Sequence, residues 1–191
     1  RIVTLHPTAT ETLYRVGGVA VGRDTSSQYP AEVLDLPTVG SAYSPSLEKV
    51  AELAPDLVII EALTQASFVD QLEQLGVPVI AVRAASLDDV SKSLTLVAKI
   101  IDTKKTADQA IAEIQDRIDT ASANAPEGKS ILIFIADADQ NIYAARADSY
   151  PGAVAALLGL DNLAADLQGQ SPYTGFALFS PELSATSTPD V

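Results

Sequence analysis

The sequence contains no cysteine, no methionine and no tryptophan, and it has a single histidine. Without cysteine there are no disulfides, no thiolate metal sites and no thiol catalysis. The lone imidazole, His6, has no second histidine with which to share a metal and no partners for a histidine-based triad. Basic residues are also scarce: 12 Lys and Arg stand against 25 Asp and Glu, a formal net charge of -13. Phosphate backbones require a basic footprint, so nucleic acid is excluded as a partner and an anionic membrane surface is disfavoured. The acidic residues are scattered, which gives a solvated acidic surface or, as the functional alternative, attraction to a basic partner. Long apolar runs are missing too. The longest, Leu57 to Ile60 and Ile131 to Ala136, are strand-sized, far short of the ~20 residues that cross a bilayer.

What is present is a chain of 191 residues, 47% hydrophobic and 19% charged, enough for one large core or two small ones. Strand-like runs alternate with helical patterns, the signature of βαβ units and a largely parallel sheet. Ile2 to Leu5 reads as a strand, followed by a helix capped by Thr8 or Thr10 and ended by Gly17-Gly18. Val19 to Val21, Val58 to Glu61 and Pro78 to Val82 read as further strands, with a helix over Ser67 to Leu75. From Ser86 the pattern is helical for nearly forty residues, interrupted at Thr103 to Thr106. Ser130 to Ala136 reads as a strand that turns through Asp137 to Asn141 into Ile142 to Ala145, and Pro151 opens a last helix. The organisation is an α/β lobe over 1–85, a linking helical segment over 86–125 and a second α/β lobe over 126–191. The chain opens at Arg1, already inside a strand pattern, so it reads as a trimmed chain whose targeting information has been removed.

One pattern occurs twice. Pro45-Ser46-Leu47-Glu48 precedes a short helix and then Ala54-Pro55-Asp56-Leu57; Ser180-Pro181-Glu182-Leu183 precedes Thr188-Pro189-Asp190-Val191. A repeated supersecondary unit predicts two similar lobes, with Glu48 and Glu182 at equivalent surface points. The second copy stops where its next strand is expected, so the second lobe reads as incomplete.

The known chemical motifs fail in detail. Gly128-Lys129-Ser130 lacks the upstream glycine of a phosphate-binding loop and precedes a strand instead of opening a helix. Gly17 to Gly22 ends a helix where a dinucleotide fingerprint begins one. Asp137 to Asn141 lacks the glycine and distal glutamate of a calcium loop. No paired carboxylates, Ser-His-Asp set or nucleophile elbow emerges. In open α/β sheets ligands bind beyond the carboxyl ends of the strands. His6, Thr25, Tyr29, Tyr43 and Glu61 follow strands there in the first lobe, and Arg146, Tyr150 and Tyr173 are the corresponding candidates in the second. His6 either contacts a ligand or hydrogen-bonds the helix end.

The segment Ile2-Val3-Thr4-Leu5-His6-Pro7-Thr8-Ala9-Thr10-Glu11 resembles the opening of solute-binding proteins for ABC importers of cobalamin, haem and iron-siderophores. Val21-Gly22-Arg23-Asp24, Tyr29-Pro30, Val39-Gly40, Pro45-Ser46-Leu47-Glu48 and Ala54-Pro55-Asp56-Leu57 follow in that family's order, as do Tyr150-Pro151-Gly152 and Asp161-Asn162. The resemblance implies two Rossmann-like α/β lobes joined by a long α-helix, a metal chelate held between them, and no intrinsic cofactor. It implies a monomeric periplasmic or membrane-anchored extracellular receptor that captures an iron siderophore, haem or cobalamin. Glu48 and Glu182 correspond to glutamates that dock on the membrane permease. His6 departs from the family's small residue at its position, and in the absence of Trp the tyrosines would supply aromatic contact. The alternatives from other classes are a chelatase- or nitrogenase-like enzyme component, which would need clustered Cys or His, and a ligand-sensor domain.

Overall fold

A computed structural model of the protein describes residues 1–180 and 188–190. Its contacts divide the chain into two compact units, Arg1–Ala112 and Glu113–Val191. In the first unit the elements run β1 (Ile2–Thr4), α1 (Pro7–Arg15), β2 (Gly22–Arg23), β3 (Gly40–Ser41), β4 (Ser44–Pro45), α2 (Leu47–Glu52), β5 (Leu57–Glu61), α3 (Val69–Glu73), β6 (Val79–Val82) and α4 (Leu87–Ile100). One-turn 3₁₀ segments cover Ala31–Asp35 and Ala66–Phe68. Helix α5 (Lys104–Asn124) contains the division between the two units. The helical stretch is thus two helices. Asp102, at φ 58, breaks them apart in the left-handed conformation that Asp tolerates at a helix end.

Strands β2, β1, β5 and β6 form one parallel sheet in that order. All five residues of β5 are buried, as expected for a central strand covered by helices on both faces. Alternation along the strands then sorts the side chains. Val3, Leu5, Val58 and Ile60 share a core with Val50 of α2 and Leu72 of α3. Each such side chain stabilises the fold by about 1.5–3 kcal/mol on burial. On the opposite face Thr4 meets Thr10 of α1, hydroxyl to hydroxyl at 2.7 Å, and α1 also touches α4, β5 and β6.

The expected cap of α1 is corrected. His6, not Thr8 or Thr10, is the N-cap, and its Nδ1 accepts from the Thr8 N–H. Pro7 at the first helical position supplies the fixed φ that starts the helix two to four residues earlier than the threonines would. Thr10 consequently lies inside α1, where its hydroxyl donates to the His6 carbonyl at 3.2 Å. Strand β2 likewise falls two to three residues beyond the expected Val19 to Val21, because Val19 stays exposed and Val3 pairs with Gly22.

The second unit contains β7 (Ser130–Ile131), β8 (Phe134–Ala136), β9 (Ile142–Ala145), α6 (Tyr150–Leu157), β10 (Asp161–Asn162) and β11 (Phe176–Leu178). The single strand expected over Ser130 to Ala136 is split because its two halves have different neighbours. β7 pairs parallel with β10, while β8 pairs antiparallel with β9 in a β11-β9-β8 sheet. The hairpin through Asp137 forms as expected. The Asp137 carboxylate accepts from the Asp139 and Asn141 N–H groups, the Asn141 amide and the Tyr143 hydroxyl.

The sequence repeat has a structural counterpart in each unit. The Asp56 N–H donates to Arg1 at the entry of β1 at 2.8 Å, and the Asp190 N–H donates to Ser130 at the entry of β7 at 3.1 Å. In both places a Pro-Asp step lies beside the first strand of its unit. The Asp190 carboxylate also accepts from the Ser130 N–H and Lys129 Nζ, and these donors lower its pKa to about 2.

Candidate functional site

The carboxyl edge of the first sheet carries four loops, and buried polar side chains fix their shape. Gln65 is fully buried. Its Oε1 accepts from the Glu61 N–H at 3.0 Å, while its Nε2 donates to the carbonyls of Leu5 at 2.7 Å and Ala42 at 2.6 Å. One side chain therefore ties together the ends of β1 and β5 and the β3–β4 turn. Arg23 does similar work beside it. Its guanidinium is buried and donates to the carbonyls of Val33, Asp24 and Leu34. A chain of hydroxyls then runs from Thr4 through Thr10 and Ser27 to the buried Asp24 carboxylate. Buried polar groups carry a large penalty unless they are paired, so this network specifies one loop arrangement.

On that scaffold sit the residues expected to meet ligand. His6 is half-buried at the end of β1. Burial lowers its pKa, while the carboxylates of Glu61 and Asp24 act in the opposite direction. Thr25 is exposed, and its N–H donates to the Gly40 carbonyl, which joins its loop to the β3–β4 turn. Tyr29, on the amino side of a cis bond to Pro30, is 68% exposed, and Tyr43 at the tip of the β3–β4 turn is 77% exposed. Glu61 is placed differently. It is buried, and its Oε2 accepts from the N–H groups of Leu63 and Thr64 and from the Thr64 hydroxyl. That carboxylate oxygen builds the turn after β5. The turn in turn displays Leu63, 52% exposed, an apolar surface on the same edge.

In the second unit the backbone of Arg146 joins the loop that carries Tyr173 to the start of the helix that Tyr150 opens. The Arg146 N–H donates to the Gly175 carbonyl, and its own carbonyl accepts from the N–H and hydroxyl of Ser149, the N-cap of α6. Gly175 adopts φ +79 against Ser149, and a Cβ on Gly152 would come 1.9 Å from the Arg146 carbonyl oxygen. Only glycine allows these loops to approach so closely. The Arg146 guanidinium makes two contacts with Asp148, at 3.1 and 2.7 Å, so its charge is partly met locally. Tyr173 stacks edge-on against Tyr143 with ring centroids 5.1 Å apart, and Tyr150 opens α6 with its side chain exposed.

Glu48 lies in the first turn of α2, exposed, behind the Ser46 cap. Glu182 lies outside the described residues. Among the described residues no group of three or more His, Asp or Glu side chains is placed to hold a metal ion, and no helix is long and apolar enough to cross a membrane.

The family model for periplasmic binding proteins matches residues 2–191. This chain belongs to the periplasmic binding protein family. Over 203 aligned residues it is 30% identical to the ABC transporter substrate-binding lipoprotein YvrC of Bacillus subtilis, covering 100% of this chain and 63% of that protein. It is 24% identical to a vitamin B12-binding protein of Vibrio campbellii over 91% of this chain and 63% of the relative. Among solved structures, the apo form of the periplasmic heme-binding protein RhuT from Roseiflexus sp. RS-1 superposes with a TM-score of 0.83 at 26% identity. The match covers 100% of this chain and 74% of RhuT. The chain thus spans just under two thirds of the length of these curated relatives. The parallel β2-β1-β5-β6 sheet with its intervening helices is the α/β class that the alternation of strands and helices predicts.

Proposed function

We propose that this chain belongs to an extracytoplasmic receptor that captures a metal chelate and hands it to an ABC importer, without catalysing a reaction. The observation that carries this reading is the display of Tyr29, Tyr43 and Leu63 at the carboxyl edge of the first sheet. They sit on loops that follow the strands of the same sheet as His6, and Gln65 and Arg23 tie those loops together through buried hydrogen bonds. A large exposed aromatic surface on a rigid polar scaffold suits a broad, partly apolar ligand that is bound and released intact. The relatives named for substrate binding by ABC transporters, for vitamin B12 and for heme support the same class of cargo.

Within that class we favour an iron chelate, a ferric siderophore or haem, with cobalamin as the second candidate. His6, Thr25, Tyr29, Tyr43 and Glu61, with Arg146, Tyr150 and Tyr173 from the second unit, form the proposed ligand set. Glu48 and Glu182 form the proposed permease contacts, and the receptor works as a monomer. The test uses haemin, ferric citrate, a ferric hydroxamate and cyanocobalamin against the full-length protein. A ligand at a hundred times its Kd stabilises the native state by about 2.7 kcal/mol, so a clear rise in Tm is expected, together with quenching of tyrosine fluorescence. No shift with any of the four sinks the ligand class.

A further inference from the structure

One nitrogen of His6 is already committed. Its Nδ1 accepts the Thr8 N–H at 3.2 Å, the bond that caps α1. An imidazole nitrogen that accepts from an N–H carries a lone pair, so in the neutral ring the proton sits on Nε2. Burial favours that neutral ring. Nε2 has no hydrogen-bond partner among the described residues and is not one of their fully buried unpaired atoms, so it keeps access to solvent. A histidine that ligates a metal shows the reverse arrangement, its second nitrogen donating an N–H to a carboxylate or carbonyl. Here the second nitrogen faces a donor. Freeing Nε2 for a metal would move the proton to Nδ1, where it would oppose the Thr8 N–H and abolish the cap.

We infer that His6 acts as a hydrogen-bond donor to the cargo, its Nε2–H binding an anionic or carbonyl oxygen on the periphery of the chelate and not the metal itself. The inference rests on the receptor reading above and deepens it. His6 selects chelates that present a carboxylate or amide oxygen at this edge of the sheet, and it leaves any coordination of the metal by protein to other residues. Tyr29 and Tyr43, the exposed oxygen donors of the same edge, are the side chains available for that role.

Because the chain has one histidine, a long-range proton–nitrogen correlation spectrum of the labelled full chain gives a single ring pattern. At pH 7.5 the Nε2–H tautomer is expected; the Nδ1–H tautomer overturns the inference. The second arm titrates haemin, which bears two carboxylates, and ferric citrate into wild type and His6→Ser. Serine is a strong N-cap, so the variant keeps the helix start and loses only the reach of Nε2–H. Roughly tenfold weaker binding is expected, the scale of one lost hydrogen bond to a charged group, with the absorption bands of bound haemin unchanged. Equal affinity, or bands that move with the substitution, overturns it. Absence of binding by wild type to both probes overturns this inference, and the receptor reading falls with it only if the ferric hydroxamate and cyanocobalamin fail as well, while the ring pattern still reports the tautomer independently.

Discussion

Gln65 is the side chain whose loss reaches furthest, because three backbone groups from three loops depend on it. Gln65→Ala leaves those groups buried without partners, at a cost of roughly 2–4 kcal/mol, and a urea titration of the variant should show its midpoint falling accordingly. A midpoint close to wild type would mean that water replaces the amide and that the loops are not held from below. His6 gives a pH prediction of definite sign. Its folded pKa lies below the ordinary value of 6.5, chiefly through burial, against the opposing pull of Glu61 and Asp24. Between the folded value and 6.5 the unfolded chain therefore binds more protons, and stability falls as the pH is lowered through that window. His6→Asn keeps a capping acceptor and removes the titration, so the stability difference between wild type and variant should shrink or reverse on acidification. A pH-independent difference would contradict the burial of the ring. Both residues show the limit of sequence at this scale. The position of His6 at the end of a strand pointed to a helix end or a ligand, and it serves as the cap. A glutamine four residues after a strand carries no mark of burial, since burial depends on which distant carbonyls the fold brings to it.

At the scale of elements, the strands and caps with short-range causes were legible. Ser86 caps α4 with Asp88 and Asp89 in its first turn, and Pro151 lies in the first turn of α6, signals that depend only on neighbours; Ser46 and Ser149 cap α2 and α6 in the same way without having been singled out. The run Leu57–Glu61 reads as a buried parallel strand because every position is apolar up to its terminal Glu. The split of Ser130 to Ala136 into two strands was not legible, because it reflects a change of partner from β10 to β9 that no local pattern encodes. The approach of α6 to the Arg146 loop is similar in kind, and it can be tested. Replacing Gly152 by Ala improves helix propensity by up to about 1 kcal/mol, yet the new methyl meets the Arg146 carbonyl oxygen, part of the backbone and unable to rotate away. Overpacking of this type costs about 1–3 kcal/mol, so Gly152→Ala should lower Tm by about 2–8 °C. A neutral or raised Tm would show that the loop moves aside freely, and with it the proposed positions of Arg146 and Tyr150.

For the whole molecule, the repeat is the feature that sequence and structure share most directly. Each unit opens its first strand beside a Pro-Asp step, and each step is preceded in the sequence by a Glu that follows a Ser-Pro or Pro-Ser start. Glu48 meets the physical requirements of a docking charge. It is exposed, it lies in the first turn of a capped helix where a carboxylate is favoured, and none of the loops proposed to meet ligand in the first unit contains it. Complementary charge across an interface acts mainly on encounter and register. If Glu48 orients the receptor on basic residues of a permease, Glu48→Ala should leave haemin or ferric chelate affinity within a factor of about two, since it removes no buried contact. Uptake by cells expressing the matching importer should fall severalfold, and Glu48→Lys should reduce it further by placing like charges together. Raising the ionic strength should weaken the wild-type interaction and narrow its advantage over the alanine variant, because exposed charges are screened within about 8 Å at physiological salt. Loss of chelate affinity in Glu48→Ala would instead place this residue in the ligand site, and unchanged uptake in both variants would leave the repeated glutamate as a feature of helix capping alone.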